Sequence, residues 1–405
     1  MTAYHKSSIE LLETIPYTIQ KQDHIEFTHP SIAHKIISIV SKQPGFSPKT
    51  ILEPGCGSGE FLHILQYFFP NAHIIGIDKN ASIVNTIHRH FQPNVSIIQK
   101  NFFDMIQPSF DLIIGWIPFY PMLRMNISKS KQSMIHGKPN ASIIYLLHAL
   151  DLLEPNGIIA FILPAAFLTS MVYYNIRDII YHYYHIISIF PIPYNKTKQP
   201  KLPKQPKQYV TLIIQKTTSQ TNHLFSCIIR NNLVFHDSVK METLKSLITH
   251  HTIASLDMNV KIGTIKWNDV KSCLTHNPKK TRLIYSSNLK QNMLVETPNK
   301  NPEKKPFINK PGIIDPVIIV SRGYGKGSFC INFCLVDQHK EFLVENHLMY
   351  IFCNQPVTRD EKIKQLQTVY KSLQDPRTNQ FIELYFGKSA INSSELKYIL
   401  PLYTS

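Results

Sequence analysis

The sequence lacks the marks of a secreted or membrane-spanning protein. It has six cysteines in 405 residues and no CxxC pair. Neither a zinc ribbon nor a disulfide framework is therefore expected, and a reducing, intracellular (cytoplasmic) location is predicted. No apolar run reaches the ~18 residues that a membrane-spanning helix needs. The first twenty residues contain no basic stretch followed by an apolar one, so they do not resemble a signal peptide.

Acidic residues are scarce. The chain has 27 Asp and Glu against 43 Lys and Arg, which gives a net charge of +16. Such an excess favours a polyanionic partner, namely DNA, RNA or an anionic membrane. A solvated charge excess without any partner is the alternative. Because no membrane segment is found, nucleic acid is the predicted partner, and the spacing of the histidines predicts no metal site.

Short apolar runs alternate with amphipathic segments between residues 50 and 216. This alternation predicts an α/β fold, a Rossmann-like parallel sheet with helices on both faces. The last two apolar runs follow each other closely and could pair as a hairpin. The predicted strands are 50–52, 73–77, 95–99, 111–115, 158–163, 186–190 and 209–216.

The connection within that hairpin, residues 191–208, has an unusual composition. It contains five prolines, five lysines and no acid, so it should be extended rather than part of a core. It leaves the carboxyl end of a strand, and ligands of open α/β sheets bind at that edge. A tolerated surface insertion is the alternative. Its candidate nucleic-acid contacts are Tyr194, Lys196, Lys198, Lys201, Lys204 and Lys207.

The strand–helix rhythm ends after residue 216. Residues 225–405 mix strand-like runs with a second Pro/Lys loop at 297–312 and one amphipathic helix at 359–374. They are predicted to form a separate, mostly β domain. Within it, Arg322 and Lys326 of the SRGYGKG segment are candidate nucleic-acid contacts, although an ordinary surface role would suit them equally.

Glycine is also scarce, and its distribution is uneven. Of 14 glycines in the chain, Gly55, Gly57 and Gly59 fall within five residues, between a predicted strand and a predicted helix. Glycines at such a place allow a tight turn and bring a ligand close to backbone N–H groups. The GxGxG pattern alone is a weak signal, because a plain tight turn would also produce it.

Acidic side chains stand at three successive strand ends. Glu53 precedes the glycine turn, Asp78 ends the second strand and Asp104 follows the third. Asp78 is placed to accept hydrogen bonds from ribose hydroxyls, and Asp104 to accept one from an adenine amino group. Each acid alone could be a solvated loop residue or a helix cap. The series of three favours a nucleoside-binding site.

These motifs resemble S-adenosylmethionine-dependent methyltransferases of the Rossmann-like class. The narrower resemblance is to DNA adenine-N6 methyltransferases of type II restriction–modification systems. It is carried by ILEPGCGSG (51–59), by FTHP (27–30), which has one residue inserted before its proline, and by residues 145–168. Several runs after residue 225 look like the target-recognition domain of the same enzymes.

The resemblance implies an organisation and a cofactor. It implies an N-terminal extension (1–22), a methyltransferase domain (23–218) and a target-recognition domain (219–405). The implied partners are double-stranded DNA, with RNA as a weaker alternative, and possibly a cognate restriction endonuclease; the protein is expected to be a monomer. The implied contacts with S-adenosylmethionine are Phe27, Thr28, Glu53, Gly55, Cys56, Gly57, Gly59, Asp78, Phe103 and Asp104.

The catalytic loop departs from the family pattern. Where the family has Asn-Pro-Pro-Tyr or Asn-Pro-Pro-Phe, this chain has Trp116, Ile117, Pro118 and Phe119. In the family, the Asn side chain accepts a hydrogen bond from the target amine, and the aromatic residue of the motif stacks on the flipped-out base. An indole has one N–H donor and no acceptor. Trp116 therefore cannot do what the Asn does, whereas Pro118 and Phe119 could keep the turn and the stacking.

Three interpretations of Trp116 remain open. In the first, the chain is an active methyltransferase in which a backbone carbonyl and another side chain, such as Tyr120, Asn126 or Tyr194, replace the Asn. In the second, it binds cofactor and DNA without methylating, and Trp116 fills the base pocket. In the third, the target differs and is RNA or a base atom that needs no Asn.

Overall fold

A computed structural model describes two compact units, Met1–Met241 and Glu242–Ser405. No helix within its described residues is both long and apolar enough to cross a membrane. The described residues are 4–15, 27–106, 109–122, 129–135, 140–192, 209–217, 222–296, 299, 301–322, 331–387 and 390–403.

A seven-stranded sheet forms the centre of the first unit. Its order is β3-β2-β1-β4-β5-β7-β6, and β7 alone runs antiparallel to its neighbours. The predicted α/β fold and the β6–β7 hairpin are thereby confirmed. The strands are β1 (Thr50–Pro54), β2 (His73–Asp78), β3 (Val95–Gln99), β4 (Phe110–Trp116), β5 (Leu153–Pro164), β6 (Tyr184–Pro191) and β7 (Tyr209–Lys216).

Helices cover both faces of this sheet. Because β4 is apolar along most of its length, its alternate residues enter two separate cores. Ile113 packs on one side with α6, and Leu112 and Ile114 pack on the other with α2 and α3. The helices of this unit are α1 (Lys6–Thr14), α2 (Pro30–Ser41), α3 (Glu60–Phe68), α4 (Ala81–Ile87), α5 (Lys129–Gln132), α6 (Ala141–Asp151) and α7 (Tyr174–Tyr183).

Local chemistry sets where the helices around the ligand edge begin. Pro30 occupies the first turn of α2, and the Nδ1 of His29 accepts a hydrogen bond from the Ser31 N–H at 3.3 Å. The residue inserted into the FTHP element is therefore the N-cap of this helix. The side-chain oxygen of Asn80 caps α4 by accepting from the Ser82 N–H at 2.9 Å.

A buried arginine attaches a second hairpin to the first unit. The hairpin consists of β8 (Ser226–Ile229) and β9 (Asn232–Phe235), and Arg177 of α7 is fully buried against it. The Arg177 guanidinium donates to the Leu233 carbonyl at 2.5 Å and to Asn232 Oδ1 at 2.7 Å. The first compact unit therefore continues past residue 218 and ends within α8 (Ser238–Ser246).

The second unit is mostly β, as predicted. It contains two four-stranded sheets, β10-β19-β16-β17 and β11-β15-β12-β18, and the pair β13–β14. Its strands are β10 (Met258–Ile262), β11 (Leu274–Thr275), β12 (Thr281–Ile284), β13 (Leu289–Lys290), β14 (Met293–Leu294), β15 (Phe307–Ile308), β16 (Val317–Ser321), β17 (Phe333–Val336), β18 (Phe342–Val344) and β19 (Leu348–Cys353).

Three helices complete the second unit: α9 (Arg359–Gln374), α10 (Pro376–Tyr385) and α11 (Ser393–Tyr398). The first of them is the amphipathic helix predicted at 359–374. Thr358 and Glu361 form a reciprocal capping box at its start, which satisfies two N–H groups that the helix itself cannot.

Candidate cofactor and target site

The glycine loop is a strained turn between β1 and α3. Gly55, Gly57 and Gly59 have φ angles of +72°, +52° and +79°, a region that other residues enter only at a cost. The N–H groups of Gly55 and Cys56 both donate to the Ile77 carbonyl of β2, at 2.7 and 2.9 Å. The turn therefore explains the three glycines, and β2 holds its first half.

Asp78 joins the end of β2 to this loop. Its Oδ2 accepts the Gly57 N–H at 3.1 Å, and its Oδ1 accepts the Asn80 N–H at 2.9 Å. Burial raises the pKa of Asp78, and the two backbone hydrogen bonds oppose that rise. The carboxylate is thus fixed by backbone donors at the point where it was predicted to accept ribose hydroxyls.

A cleft opens at the carboxyl ends of the central strands, where the strand order reverses between β1 and β4. The empty space along it is about 740 Å³ and includes open solvent, so it is an open cleft rather than an enclosed cavity. Its walls come from four strand ends and from α4 and α6: Gly55, Gly57, Ile77, Asp78, Lys79, Asn80, Ile83, Lys100, Phe102, Trp116, Pro118, Tyr120 and Tyr145.

Six of the residues singled out in the sequence border this cleft. They are Gly55 and Gly57 of the glycine loop, Asp78, Trp116 and Pro118 of the divergent loop, and Tyr120 just after it. A Cβ placed on Gly55 would lie 4.0 Å from Pro118 Cδ. The fold therefore brings the candidate cofactor loop and the candidate catalytic loop into contact.

Other singled-out residues lie behind or beside the cleft walls. Ile117 is buried in the core, Thr28 is buried, and Phe27 packs partly buried on the α2 side of the sheet. Cys56 is buried within the glycine loop, where burial raises its thiol pKa well above the usual range. Phe119 is half-buried and does not border the cleft.

The wall after β3 is built differently from the sequence expectation. Asp104 is exposed in a short 3₁₀ turn, and Phe103 packs on Tyr145 with ring centroids 4.9 Å apart. Lys100 and Phe102 border the cleft in their place. In the sequence, Lys100 and Phe102 are marked only by their position immediately after β3. They reach the cleft because the chain has turned away from it by Asp104.

Glu53 carries a buried polar atom without a partner. The residue is 3% exposed, and its Oε2 has no hydrogen-bond partner among the residues that the structure describes. Burial raises its pKa well above the ordinary value, and the nearby Glu60 and Asp78 raise it further. An unsatisfied buried acceptor costs roughly 1–3 kcal/mol, so a donor supplied by a ligand would stabilise this site.

Trp116 is the second such case. It ends β4 and is half-buried, and within the described part of the chain its buried Nε1–H has no acceptor. Its ring packs on the same face of the sheet as Phe27. An unpaired donor and the unpaired acceptor of Glu53 therefore stand at the ends of two adjacent strands, β4 and β1.

Only part of the predicted nucleic-acid surface lies in the described residues. Arg322 directly follows β16, and its Nε is buried without a hydrogen-bond partner. The second Pro/Lys loop, 297–312, is tied into its own unit, because the ammonium of Lys304 pairs with the buried Glu345 at 2.8 Å. The remaining candidates lie outside the described residues: Tyr194, Lys196, Lys198, Lys201, Lys204, Lys207 and Lys326.

Residues 46–188 match the family model described as a methyltransferase domain. S-adenosylmethionine is the cofactor implied by that match, and the site accommodates it. The Asp78 carboxylate and the Glu53 Oε2 would supply acceptors, and the Trp116 Nε1–H a donor, to a nucleoside that carries an amino-acid tail. The chain thus contains a region that matches a methyltransferase domain.

Two relatives match nearly the whole chain and confirm the predicted resemblance. "Type II methyltransferase M.CvrRI" of Paramecium bursaria Chlorella virus XZ-6E is 26% identical over 98% of this chain and 99% of that protein. "Modification methylase CviBIII" of Paramecium bursaria Chlorella virus NC1A is 24% identical over 99% of each chain. The similarity to methyltransferases of the restriction–modification kind thus extends through the second unit.

Shorter matches cover only part of the chain. A "tRNA1(Val) (adenine(37)-N6)-methyltransferase" of Vibrio cholerae serotype O1 (strain M66-2) is 32% identical over 30% of this chain and 52% of that protein. Among solved structures, the type I restriction-modification system methyltransferase subunit from Streptococcus thermophilus is 17% identical. It covers 55% of this chain and 52% of its own, with a TM-score of 0.37.

Proposed function

We propose that this protein methylates the exocyclic N6 amine of adenine in double-stranded DNA, acting on a flipped-out base. One observation supports this proposal above the others: the glycine loop with Asp78 and the loop that contains Pro118 border the same cleft. The two full-length relatives are named as a type II methyltransferase and a modification methylase, and a shorter match is named as a tRNA1(Val) (adenine(37)-N6)-methyltransferase, which shares adenine N6 as the target but acts on tRNA.

In this proposal the glycine loop and the strand-end acids hold the cofactor. The Asp78 carboxylate, oriented by the Gly57 and Asn80 N–H groups, accepts the ribose hydroxyls. Glu53 supplies its unpaired Oε2 to the ammonium of the amino-acid tail. Phe102, which borders the cleft after β3, packs on the adenine ring of the cofactor. The more distant Phe27, Thr28, Cys56, Gly59, Phe103 and Asp104 remain proposed as contacts or supports.

When bound, S-adenosylmethionine supplies a methyl group on a positively charged sulfur, which leaves as a neutral thioether. The target amine is a poor nucleophile because its lone pair is delocalised into the base. Groups that accept hydrogen bonds from its two N–H bonds localise this lone pair on the nitrogen. The lone pair then forms the new bond to the methyl carbon. The surplus amine proton passes to water.

The backbone carbonyl of Trp116 and the hydroxyl of Tyr120 are the proposed acceptors. Trp116 contributes no side-chain acceptor, whereas its carbonyl stands at the end of β4 regardless of its side chain. Tyr120 borders the same cleft, and a phenolic oxygen accepts as well as donates. Pro118 keeps the loop turned, and Phe119 is the proposed stacking partner of the flipped base.

A specific observation favours a second candidate function, binding without methylation. The Trp116 side chain itself borders the cleft, on the strand end where the family's motif places its Asn. If the indole occupies the volume that the base edge needs, the chain would recognise DNA and bind cofactor but would not transfer the methyl group. A third candidate, methylation of RNA, keeps the same cofactor site with a different target.

The DNA contacts and the wider setting are part of the same proposal. Residues 23–218 act as the catalytic domain and residues 219–405 as the target-recognition domain, with residues 1–22 as an extension. Lysines of the hairpin connection 191–208, together with Arg322 and Lys326, contact phosphates. The protein works as a monomer in the reducing interior of a cell, beside a cognate restriction endonuclease.

The test is methyl transfer from labelled S-adenosylmethionine to unmethylated genomic DNA and, in parallel, to total RNA. The products are digested, and the labelled nucleoside is identified by mass spectrometry. N6-methyldeoxyadenosine from DNA is the expected result. Cofactor binding with no labelled nucleoside in either pool would select the binding-only function, and label found only in RNA would select the third candidate.

A further inference from the structure

The N-terminal helix α1 is bonded to the glycine loop. Ser7 and Ser8, at the start of the helix, are completely buried. The Ser7 hydroxyl donates to the backbone carbonyl of Ser58 at 2.8 Å. Ser58 lies inside the glycine loop, between Gly57 and Gly59, so a residue 51 positions away in sequence is hydrogen-bonded to the loop itself.

A second attachment is made just after the loop, at the first residue of α3. The Oε1 of Glu60 accepts the Ser8 hydroxyl at 2.5 Å and the His5 backbone N–H at 2.9 Å. Glu60 is 4% exposed, and its burial raises the pKa of the carboxyl. Three hydrogen bonds thus connect residues 5–8 to residues 58–60.

A stack of aromatic rings supports the same place. The His5 ring stacks on His63 of α3, and His63 stacks on Phe91, with centroids 3.1 and 4.2 Å apart. A Cβ placed on Gly59 would lie 2.6 Å from Phe91 Cζ. The stack therefore fills the space against Gly59, and His5 of the N-terminal segment forms its outer end.

The two halves of the loop are held by different parts of the chain. Its first half is bonded to β2 through the N–H groups of Gly55 and Cys56. Beyond Gly57 its backbone is held by the internal bond from the Gly59 N–H to the Cys56 carbonyl at 2.8 Å, and by Ser7. Three left-handed glycines give the free loop many conformations, so binding to a loop already fixed in one of them costs less ordering entropy.

We infer that α1 is a positioning element of the cofactor site, with Ser7 and Ser8 holding the glycine loop in its binding conformation. Docking of α1 and binding of cofactor then strengthen each other, because each favours the same loop conformation. This inference rests on the proposed placement of S-adenosylmethionine at the glycine loop. It assigns a function to the N-terminal extension, which the proposed methylation leaves without one.

The experiment compares the Ser7→Ala/Ser8→Ala double variant with Thr14→Ala in the full-length protein. Thr14 is exposed at the far end of the same helix and bonds only its own helix, to the Glu10 carbonyl. Calorimetric titration with S-adenosylmethionine should show at least tenfold weaker binding for the double variant and less than a twofold change for Thr14→Ala. Hydrogen exchange of residues 54–60 without cofactor should accelerate in the double variant alone.

Two further variants separate the possible failures. Glu60→Gln keeps the size of the side chain but weakens its hydrogen bonds with α1. It should therefore weaken S-adenosylmethionine binding, but by less than the double variant does. Asp78→Ala tests the cofactor site itself. If Asp78→Ala still binds the cofactor normally, the underlying site is wrong. If Asp78→Ala loses binding while the folded double variant binds like the unmodified protein, the inference about α1 is overturned. A purely structural α1 would lower the unfolding midpoint and leave the dissociation constant unchanged.

Discussion

Trp116 and Tyr209 meet edge to face, with their ring centroids 5.1 Å apart and their planes at 69°. Trp116 ends β4, and Tyr209 begins β7 directly after the Pro/Lys connection of the hairpin. The geometry is a favourable aromatic pair. This contact holds the indole beside the cleft wall, against the first residue of β7. That strand follows the proposed DNA-contacting segment.

Trp116→Asn should increase adenine methylation in DNA by about 10²–10³-fold, the size of effect that a single positioned catalytic group has in other enzymes. The substitution restores a side-chain acceptor for the amine and removes the bulk of the indole. Nucleoside mass spectrometry after a timed reaction measures the gain. Trp116→Phe is the matched control, since it keeps an aromatic ring without adding an acceptor. An equal gain in both variants would point to bulk rather than acceptor chemistry.

Asp78→Ala should weaken S-adenosylmethionine binding by about tenfold to a hundredfold, because each hydrogen bond to a charged group contributes about 1.5–3 kcal/mol. Asp104→Ala is the comparison. Asp104 is exposed and does not border the cleft, so its removal should change the dissociation constant less than threefold. Titration calorimetry measures both variants. Equal losses would show that Asp104 contacts the cofactor directly instead of supporting the site from beside the cleft.

Acidification should destabilise the first unit through three clustered histidines. Burial lowers the pKa values of His5, His63 and His90, that of His63 to about 3. In the unfolded chain His63 takes up a proton near its ordinary pKa of 6.5, whereas in the folded protein it stays neutral at that pH. The contribution of His63 to the free energy of unfolding is therefore fully present above pH 6.5. The free energy of unfolding should fall by about 1 kcal/mol per pH unit as the pH drops from about 6.5 toward about 3.

Urea unfolding between about pH 7.5 and pH 5 checks this slope, with Trp116 fluorescence read in a Trp267→Phe background. His63→Phe keeps an aromatic ring in the stack but cannot be protonated, so its stability should depend less on pH. The acids Glu10 and Glu60 also face the cluster, together with Lys6 and Arg89. A slope identical in His63→Phe and in the unmodified protein would assign the effect to those groups instead.

Arg177→Met should lower the free energy of unfolding of the first unit by at least about 3 kcal/mol, because each buried acceptor left without a donor costs roughly 1–3 kcal/mol. Its guanidinium serves the carbonyls of Leu233, Phe167 and Ser170 and the side chain of Asn232. These acceptors would remain buried without a donor. Chemical denaturation measures the loss. Arg177→Lys keeps the charge but not the fork of donors, so its free energy of unfolding should lie between those of the unmodified protein and Arg177→Met.

Deleting residues 195–207 should weaken DNA binding and reduce its salt dependence. The deletion removes five lysines, and the slope of log affinity against log salt becomes shallower by about 0.9 for every phosphate that the protein no longer neutralises. Fluorescence anisotropy at several salt concentrations measures the slope. Replacing the segment by Gly/Ser of the same length controls for hairpin closure. An unchanged slope would remove this segment from the DNA interface.

Much of the architecture was legible in the sequence because it depends on local patterns. Buried parallel strands need continuous apolar runs, so all seven strands of the first sheet were predicted within a few residues, apart from the extra start of β5. The amphipathic pattern at 359–374 likewise marked the helix that the structure has at Arg359–Gln374. The end of the first unit was less legible, since a buried contact between Arg177 and the β8–β9 hairpin decides it.

The sequence by itself determined the class of fold, the glycine turn and the loss of the acceptor at Trp116, because residue type alone sets backbone freedom and hydrogen-bonding capacity. Only the tertiary structure decided which side chains reach the cleft. Phe102 borders it and Asp104 does not, since the chain turns shortly after β3. The bond from Ser7 to Ser58 spans 51 residues, and no local pattern specifies a contact that exists only once α1 has packed against the folded sheet.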